Sequence, residues 1–190
     1  MYGLIKTKKE SRDFIRSRGL NTVPEIQLNK REVGRIAEFI NANKTEDYVF
    51  FSLREASHSC GIYAYVNDYG ECISELGRFD EYIILSVSIK CYQKMLLLGT
   101  VEFSRNGTVR LCATVDPGLD HRSMFFGGAE FNFETDIFDN RRLDPIPEFD
   151  YLYRYISDND LYDKTVEFTI YDRPVGTKNE RILINEVRNY

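Results

Sequence analysis

The stretch from Met95 to Val115 constrains the fold more than any other part of the chain, because its turn dictates a pairing register. A two-residue loop at Asn106-Gly107 would set Phe103 against Arg110 and Glu102 against Leu111, mixing apolar and charged side chains on both faces. A three-residue loop, Arg105-Asn106-Gly107, pairs Phe103 with Val109, Val101 with Leu111, Gly99 with Ala113 and Leu97 with Val115. The opposite face then pairs Glu102 with Arg110 and Ser104 with Thr108. A slip of one residue turns every side chain to the other face, so the three-residue register is expected. It matches a type I turn closed by a glycine bulge with Gly107 left-handed.

A second hairpin closes the sequence. Val166, Phe168 and Ile170 alternate with Glu167, Thr169 and Tyr171, and a return strand runs from Arg181 to Arg188 after a turn holding Pro174 and Gly176. If Ile182 and Ile184 face the core, period 2 carries Glu186 and Arg188 onto the same face, unless both lie beyond the sheet edge. Further strands are expected at Val23–Leu28, Tyr48–Leu53, Gly61–Val66, Glu71–Leu76 and Tyr82–Lys90. Met124–Phe138 is strand-like, interrupted by Gly127-Gly128.

Three segments read as helices. Lys8–Arg18 ends at Gly19. A second begins near Asn29 and Glu32, which resemble a capping box, and carries Val33, Ile36, Ala37 and Ile40 on one stripe. The third runs from about Pro147 to Ile156, with Phe149, Leu152, Tyr153 and Ile156 together. Helices at the ends and a meander between them imply an α+β class. The expected architecture is a mainly antiparallel, strongly curled or barrel-like sheet with about three helices packed on one side. No linker composition marks a boundary, so residues 1–190 are read as a single domain, with 1–20 a basic helical arm and 21–190 a sheet-rich body.

Charge divides the chain in the same way. Residues 1–45 hold ten Lys/Arg against five Asp/Glu, and the remainder holds 15 against 25. A basic arm on an acidic body either docks on that body or reaches for an anionic partner. Lys8, Arg12 and Arg16 fall at i, i+4, i+8 and form an anion-binding candidate able to meet phosphates. No nucleic-acid-binding motif accompanies them, so nucleic acid is not the favoured partner. No apolar run approaches the roughly 18 residues a membrane helix needs, and no signal-like stretch opens the sequence. A cytoplasmic protein is expected, with no membrane association and with edge strands able to pair in a homodimer. Cys60, Cys72, Cys91 and Cys112 lack the close spacing of a zinc or redox motif and read as free thiols.

Two constellations can carry chemistry. The loop Asp116–Arg122 with Glu134 and Asp136 offers Asp116, Asp120, His121, Glu134 and Asp136 to a divalent metal, since carboxylates suit Mg²⁺ or Mn²⁺. The alternative is plain Asp-Pro-Gly turn chemistry. The polar loop Arg54–Gly61 holds His58 and Cys60, and with His121 these are the candidates for a thiolate–imidazole pair. The loop Arg173–Arg181 has glycine and basic residues but not P-loop spacing, and a hairpin turn accounts for it. No cofactor signature is evident beyond a divalent metal. The favoured expectation is a non-catalytic module binding an unknown ligand or protein partner. The alternative is a metal-assisted hydrolase of a phosphate or similar ester.

Overall fold

The strand-rich middle of the chain forms two sheets rather than one. The computed structural model describes residues 5–44, 50–55, 63–88, 94–116, 118 and 127–189. These divide into two compact units: a smaller one of residues 7–9 and 23–92, and a larger one of residues 1–6, 10–22 and 93–190. Nothing in the composition around residues 22 and 92 marks these joins.

The smaller unit contains β1 (Glu25–Asn29), α2 (Val33–Asn43), β2 (Phe50–Glu55), β3 (Tyr63–Val66), α3 (Tyr69–Glu75) and β4 (Tyr82–Ser88). Its antiparallel sheet has the order β1-β4-β2-β3. Ile36 and Ile40 of α2 join Phe51, Leu53, Ile83 and Leu85 in the core, while Val33 of the expected stripe is 42% exposed. The capping box forms by half. Glu32 accepts from the Asn29 amide at 2.8 Å, but Glu32 itself occupies the cap position. Residues 71–76, expected as a strand, lie mainly in α3. The reason is local: Asp68 accepts from the Glu71 amide at 3.0 Å, and Glu71 accepts from the Asn67 amide at 2.8 Å. That Asp-x-x-Glu start signal outweighs the apolar Cys72-Ile73 pair.

The larger unit holds most of α1 (Lys8–Ser17), then β5 (Met95–Phe103), β6 (Thr108–Thr114), β7 (Phe131–Asp136), α4 (Asn140–Leu143), α5 (Phe149–Asp158), β8 (Thr165–Val175) and β9 (Glu180–Arg188). Its antiparallel sheet has the order β7-β6-β5-β8-β9. Both sheets are open, so the curled or barrel-like expectation is corrected, as is the estimate of about three helices: the described residues form five. The antiparallel α+β class stands. The β5·β6 register is the expected one, with Phe103 opposite Val109, Val101 opposite Leu111 and Glu102 opposite Arg110. Gly107 is left-handed at φ 90°, and the Ser104 amide donates to the Thr108 carbonyl at 2.8 Å. Gly99 faces Ala113 so closely that a Cβ there would lie 2.6 Å from the alanine methyl.

One face of this sheet is covered by α1 and α5. Phe14, Ile15, Phe149, Leu152 and Ile156 pack with Val101, Phe103, Val109, Leu111, Val166, Phe168, Ile182 and Ile184. The segment expected as a basic arm is thus anchored by its apolar side. Asn21, just beyond it, is fully buried and closes the β8·β9 hairpin. Its amide nitrogen donates to the carbonyls of Val175 (2.9 Å), Glu180 (3.2 Å) and Ile182 (2.6 Å), and its side-chain oxygen accepts from the Lys178 amide (2.7 Å).

Candidate functional site

The face of the larger sheet opposite its helices carries two cross-strand rows of polar residues. Strand alternation puts there whatever the core does not take. One row runs Asn132 (β7), Cys112 (β6), Thr100 (β5), Glu167 (β8), Glu186 (β9), each opposite the next. The other runs Glu134, Arg110, Glu102 on β7, β6 and β5, then Thr165 and Arg188, with the Thr165 hydroxyl donating to Glu102 at 3.3 Å.

A β-bulge makes this face. Glu167 pairs with Glu186, but the next residue, Phe168, pairs with Ile184, so β9 carries one extra residue, Asn185. Ile182, Ile184 and Val187 therefore all enter the core, while Glu186 and Arg188 turn away from it. Strict period 2 puts both charges with the isoleucines unless they lie beyond the sheet edge; both lie within β9, and it is the bulge that takes them off the core face. The sequence does hold the signal: buried apolar positions at 182, 184 and 187 step by two and then by three.

The electrostatics single out the acids. Glu167 and Glu186 are like charges directly opposed, an arrangement that destabilises a sheet. Arg188 contacts Glu186 closely, and their side chains are 28% and 13% exposed. Arg110 donates to Glu134 at 2.6 Å, and that hydrogen bond, with the charges of Glu134 and Glu102, raises the Arg110 pKa above its ordinary value. Across the two rows, four carboxylates face two guanidiniums, an excess of two negative charges. Burial raises the Cys112 thiol, which keeps it protonated and a poor ligand at neutral pH. The available donors are hard oxygens. Two carboxylates side by side with hydroxyls nearby suit Mg²⁺, which takes one or two carboxylates and completes its shell with water and phosphate oxygens.

The residues singled out in the sequence lie elsewhere or only at the margin. Glu134 and Asp136 share a face of β7, but Glu134 is engaged by Arg110 and Asp136 accepts from the Phe138 amide at 2.8 Å. Asp116 lies beyond the far end of β6 and accepts from the Gly118 amide at 2.8 Å. Asp136 pairs with Thr108, and from Thr108 to Thr114 the strand alone spans roughly 20 Å at about 3.3 Å per residue. The structure therefore does not bring Asp116 to Asp136. His58, Cys60, Asp120 and His121 lie outside the described residues. Among the described residues no three His, Cys, Asp or Glu side chains gather as a metal group. On α1, Arg16 binds Asp13 at 2.8 Å, and Lys8 and Arg12 also have partners. The Arg173–Arg181 loop is the β8·β9 turn. Cys72 is a buried free thiol whose pKa burial pushes up to about 11. No helix among the described residues is long and apolar enough to cross a membrane.

No family model and no curated protein matches the sequence. Solved structures do resemble the fold. D-alanyl-alanine synthetase A from Vibrio cholerae overlays 96% of this chain with a TM-score of 0.53 at 11% identity. A carboxyaminoimidazole ribonucleotide synthase from Aspergillus clavatus, complexed with ATP, overlays 97% with a TM-score of 0.56 at 13% identity. A D-alanine–D-alanine ligase from Bacillus anthracis overlays 96% with a TM-score of 0.50 at 15% identity. The chain spans only 55%, 44% and 55% of those three chains. The likeness is one of fold, shared with these ligase and synthase structures. It overturns both functional expectations from the sequence, the non-catalytic binding module and the metal-assisted hydrolase.

Proposed function

We propose that this chain is the nucleotide-binding part of an ATP-dependent ligase, with the charged face of the larger sheet as its metal site. The observation that carries the reading is that 96–97% of the chain overlays on ligase and synthase structures, one of them holding ATP. The paired acids support it independently. Glu167 and Glu186 would hold Mg²⁺, whose remaining shell would be water and phosphate oxygen, and Thr100 lies opposite Glu167 in the same row. The bound ion would neutralise and orient the triphosphate. The ladder on both sides of β8 fixes the spacing of the two carboxylates, so the site keeps its shape between turnovers. The overlaid enzymes act on unrelated substrates by their names, so the fold selects no acceptor. A cytoplasmic location, where ATP is available, is part of this reading.

The test is titration calorimetry with MgATP on the wild type, Glu167→Gln and Glu186→Gln. Each variant is expected to bind MgATP at least about tenfold more weakly, a loss of about 1.4 kcal/mol. Unliganded Glu167→Gln keeps its melting temperature or gains slightly, because the like-charge opposition is relieved. Undiminished binding by both variants would overturn the site, and no binding by the wild type would overturn the function.

A further inference from the structure

Beside α5 the larger unit keeps an apolar groove that the nucleotide reading does not use. At one end the β5·β6 turn, Ile137, Phe138, Tyr153 and Tyr162 line a cavity of about 450 Å³, with the buried Phe103 ring in its wall. Ile137, Phe138 and Tyr153 also line a second cavity of about 630 Å³, which continues to Leu143, Ile146 and the first turn of α5. Phe138 belongs to both and is 83% exposed, the highest value for a large apolar side chain among the described residues. Tyr153 is half-buried beside it, its ring held 5.4 Å from that of Phe103. A lone exposed apolar residue calls for no explanation. An exposed ring shared by two adjoining cavities, with a fixed aromatic next to it, is the pattern of an interface anchor.

The surrounding charge selects the occupant. Asp144, Glu148 and Asp150 line the larger cavity against one cation, Arg154. Glu148 is answered from outside it by Arg181 at 2.6 Å. Arg105, the charged residue of the smaller cavity, is compensated twice, by Asp160 at 2.6 Å and by Asp163 at 3.4 Å. Over residues 136–163 eight acids stand against three arginines, so the field at the groove is negative. Aromatic faces draw cations as well, as the Arg105 guanidinium 5.5 Å from the centre of the Tyr162 ring already shows. We propose that this groove docks a segment of a partner protein that seats an apolar side chain against Phe138 and flanks it with Lys or Arg. The apolar walls supply the anchor, and the acids supply orientation and reject acidic segments. The proposal does not depend on the ligase reading, because α5 packs on the sheet face opposite Glu167 and Glu186.

The probe is a phage-displayed library of random peptides, about 12 residues long to span an interface anchor and its flanks. It is selected on the full chain and counter-selected on Phe138→Ser, whose melting temperature should equal the wild type's because the ring is exposed. Enriched peptides are expected to share an aromatic or leucine residue with Lys or Arg close by. A synthetic peptide of that consensus should lose at least about tenfold in affinity on Phe138→Ser, read by fluorescence anisotropy. Asp144→Asn combined with Asp150→Asn should weaken it about three- to tenfold and flatten its salt dependence. Saturating MgATP should leave the peptide bound. No enrichment beyond the counter-selection, or a consensus without cations, overturns the proposal. An affinity indifferent to Phe138→Ser does so too, as does competitive displacement by MgATP, which would put the peptide at the nucleotide site.

Discussion

The two units solve one problem with different side chains. Each packs helices and an apolar core against one face of an antiparallel sheet, and its other face mixes polar residues with buried apolar ones, Leu98 and Leu183 in the larger unit and Ile84 in the smaller. In the smaller unit that second face carries a row of Glu25, Ser86, Ser52 and Tyr65, mostly neutral, with Ser86 and Ser52 buried. In the larger unit it carries four carboxylates and two guanidiniums in two adjoining rows. Hydroxyls are satisfied by neighbouring backbone, as where the Ser86 hydroxyl donates to the Ser52 carbonyl at 3.5 Å. Opposed carboxylates are not satisfied by one another. The register thus sets two acids against each other in the larger unit, whereas the corresponding row of the smaller unit holds one, Glu25.

The separation of the two cores is the first thing to break. Phe168→Ala in the larger unit and Phe51→Ala in the smaller should each cost about 3–5 kcal/mol, the usual loss for a fully buried ring. Hydrogen exchange should then rise mainly in the sheet that holds the substitution. Equal loss of protection in both sheets from either change would dissolve the distinction between the units.

Next in size is Asn21, which has no equivalent among the polar residues described in the smaller unit's core. Asn21→Leu strands three carbonyls and one amide of the β8·β9 hairpin. The two N–H protons and the oxygen of the side chain sustain about three full hydrogen bonds among these four contacts, so at about 1 kcal/mol net each the expected loss is about 3 kcal/mol, read from chemical denaturation. A loss under about 1 kcal/mol would mean that the hairpin closes without this clamp.

The smallest effect is alkaline and sharpens the comparison by its onset. Burial raises Cys72 in the smaller unit from 9.0 to about 11, and Tyr155 in the larger from 10.0 to about 12. Both groups are neutral when protonated, so the folded state holds the proton longer than the unfolded one. Their contribution is complete below the ordinary value and is lost as pH climbs through the raised one. The smaller unit should therefore soften from pH 9 and the larger from pH 10, as mapped by limited proteolysis. Cys72→Ala should remove the earlier onset, and an unchanged onset in that variant would break the assignment.

Much of this fold is legible in the residues. The β5·β6 register follows from which pairing keeps Phe103, Val101 and Leu111 on one face, and α5 follows from the Phe149, Leu152 and Ile156 stripe. These rest on contacts near in sequence, where alternation and turn chemistry suffice. The α3 helix was written as well, in Asp68 and Glu71, but its apolar pair resembled a strand.

The site was not legible, for a physical reason. Glu167 and Glu186 are separated along the chain by a long hairpin, and each alone looks like an ordinary solvent-facing acid. Only the one-residue bulge at Asn185 rotates Glu186 and Arg188 out of the core face, and only pairing across β8 and β9 sets one carboxylate against the other. The sequence by itself determined the class, the alternation and the closest hairpin, because those depend on neighbours. Tertiary structure alone decided the split into two sheets and the meeting of the acids, because both depend on which distant strands pair and in what register.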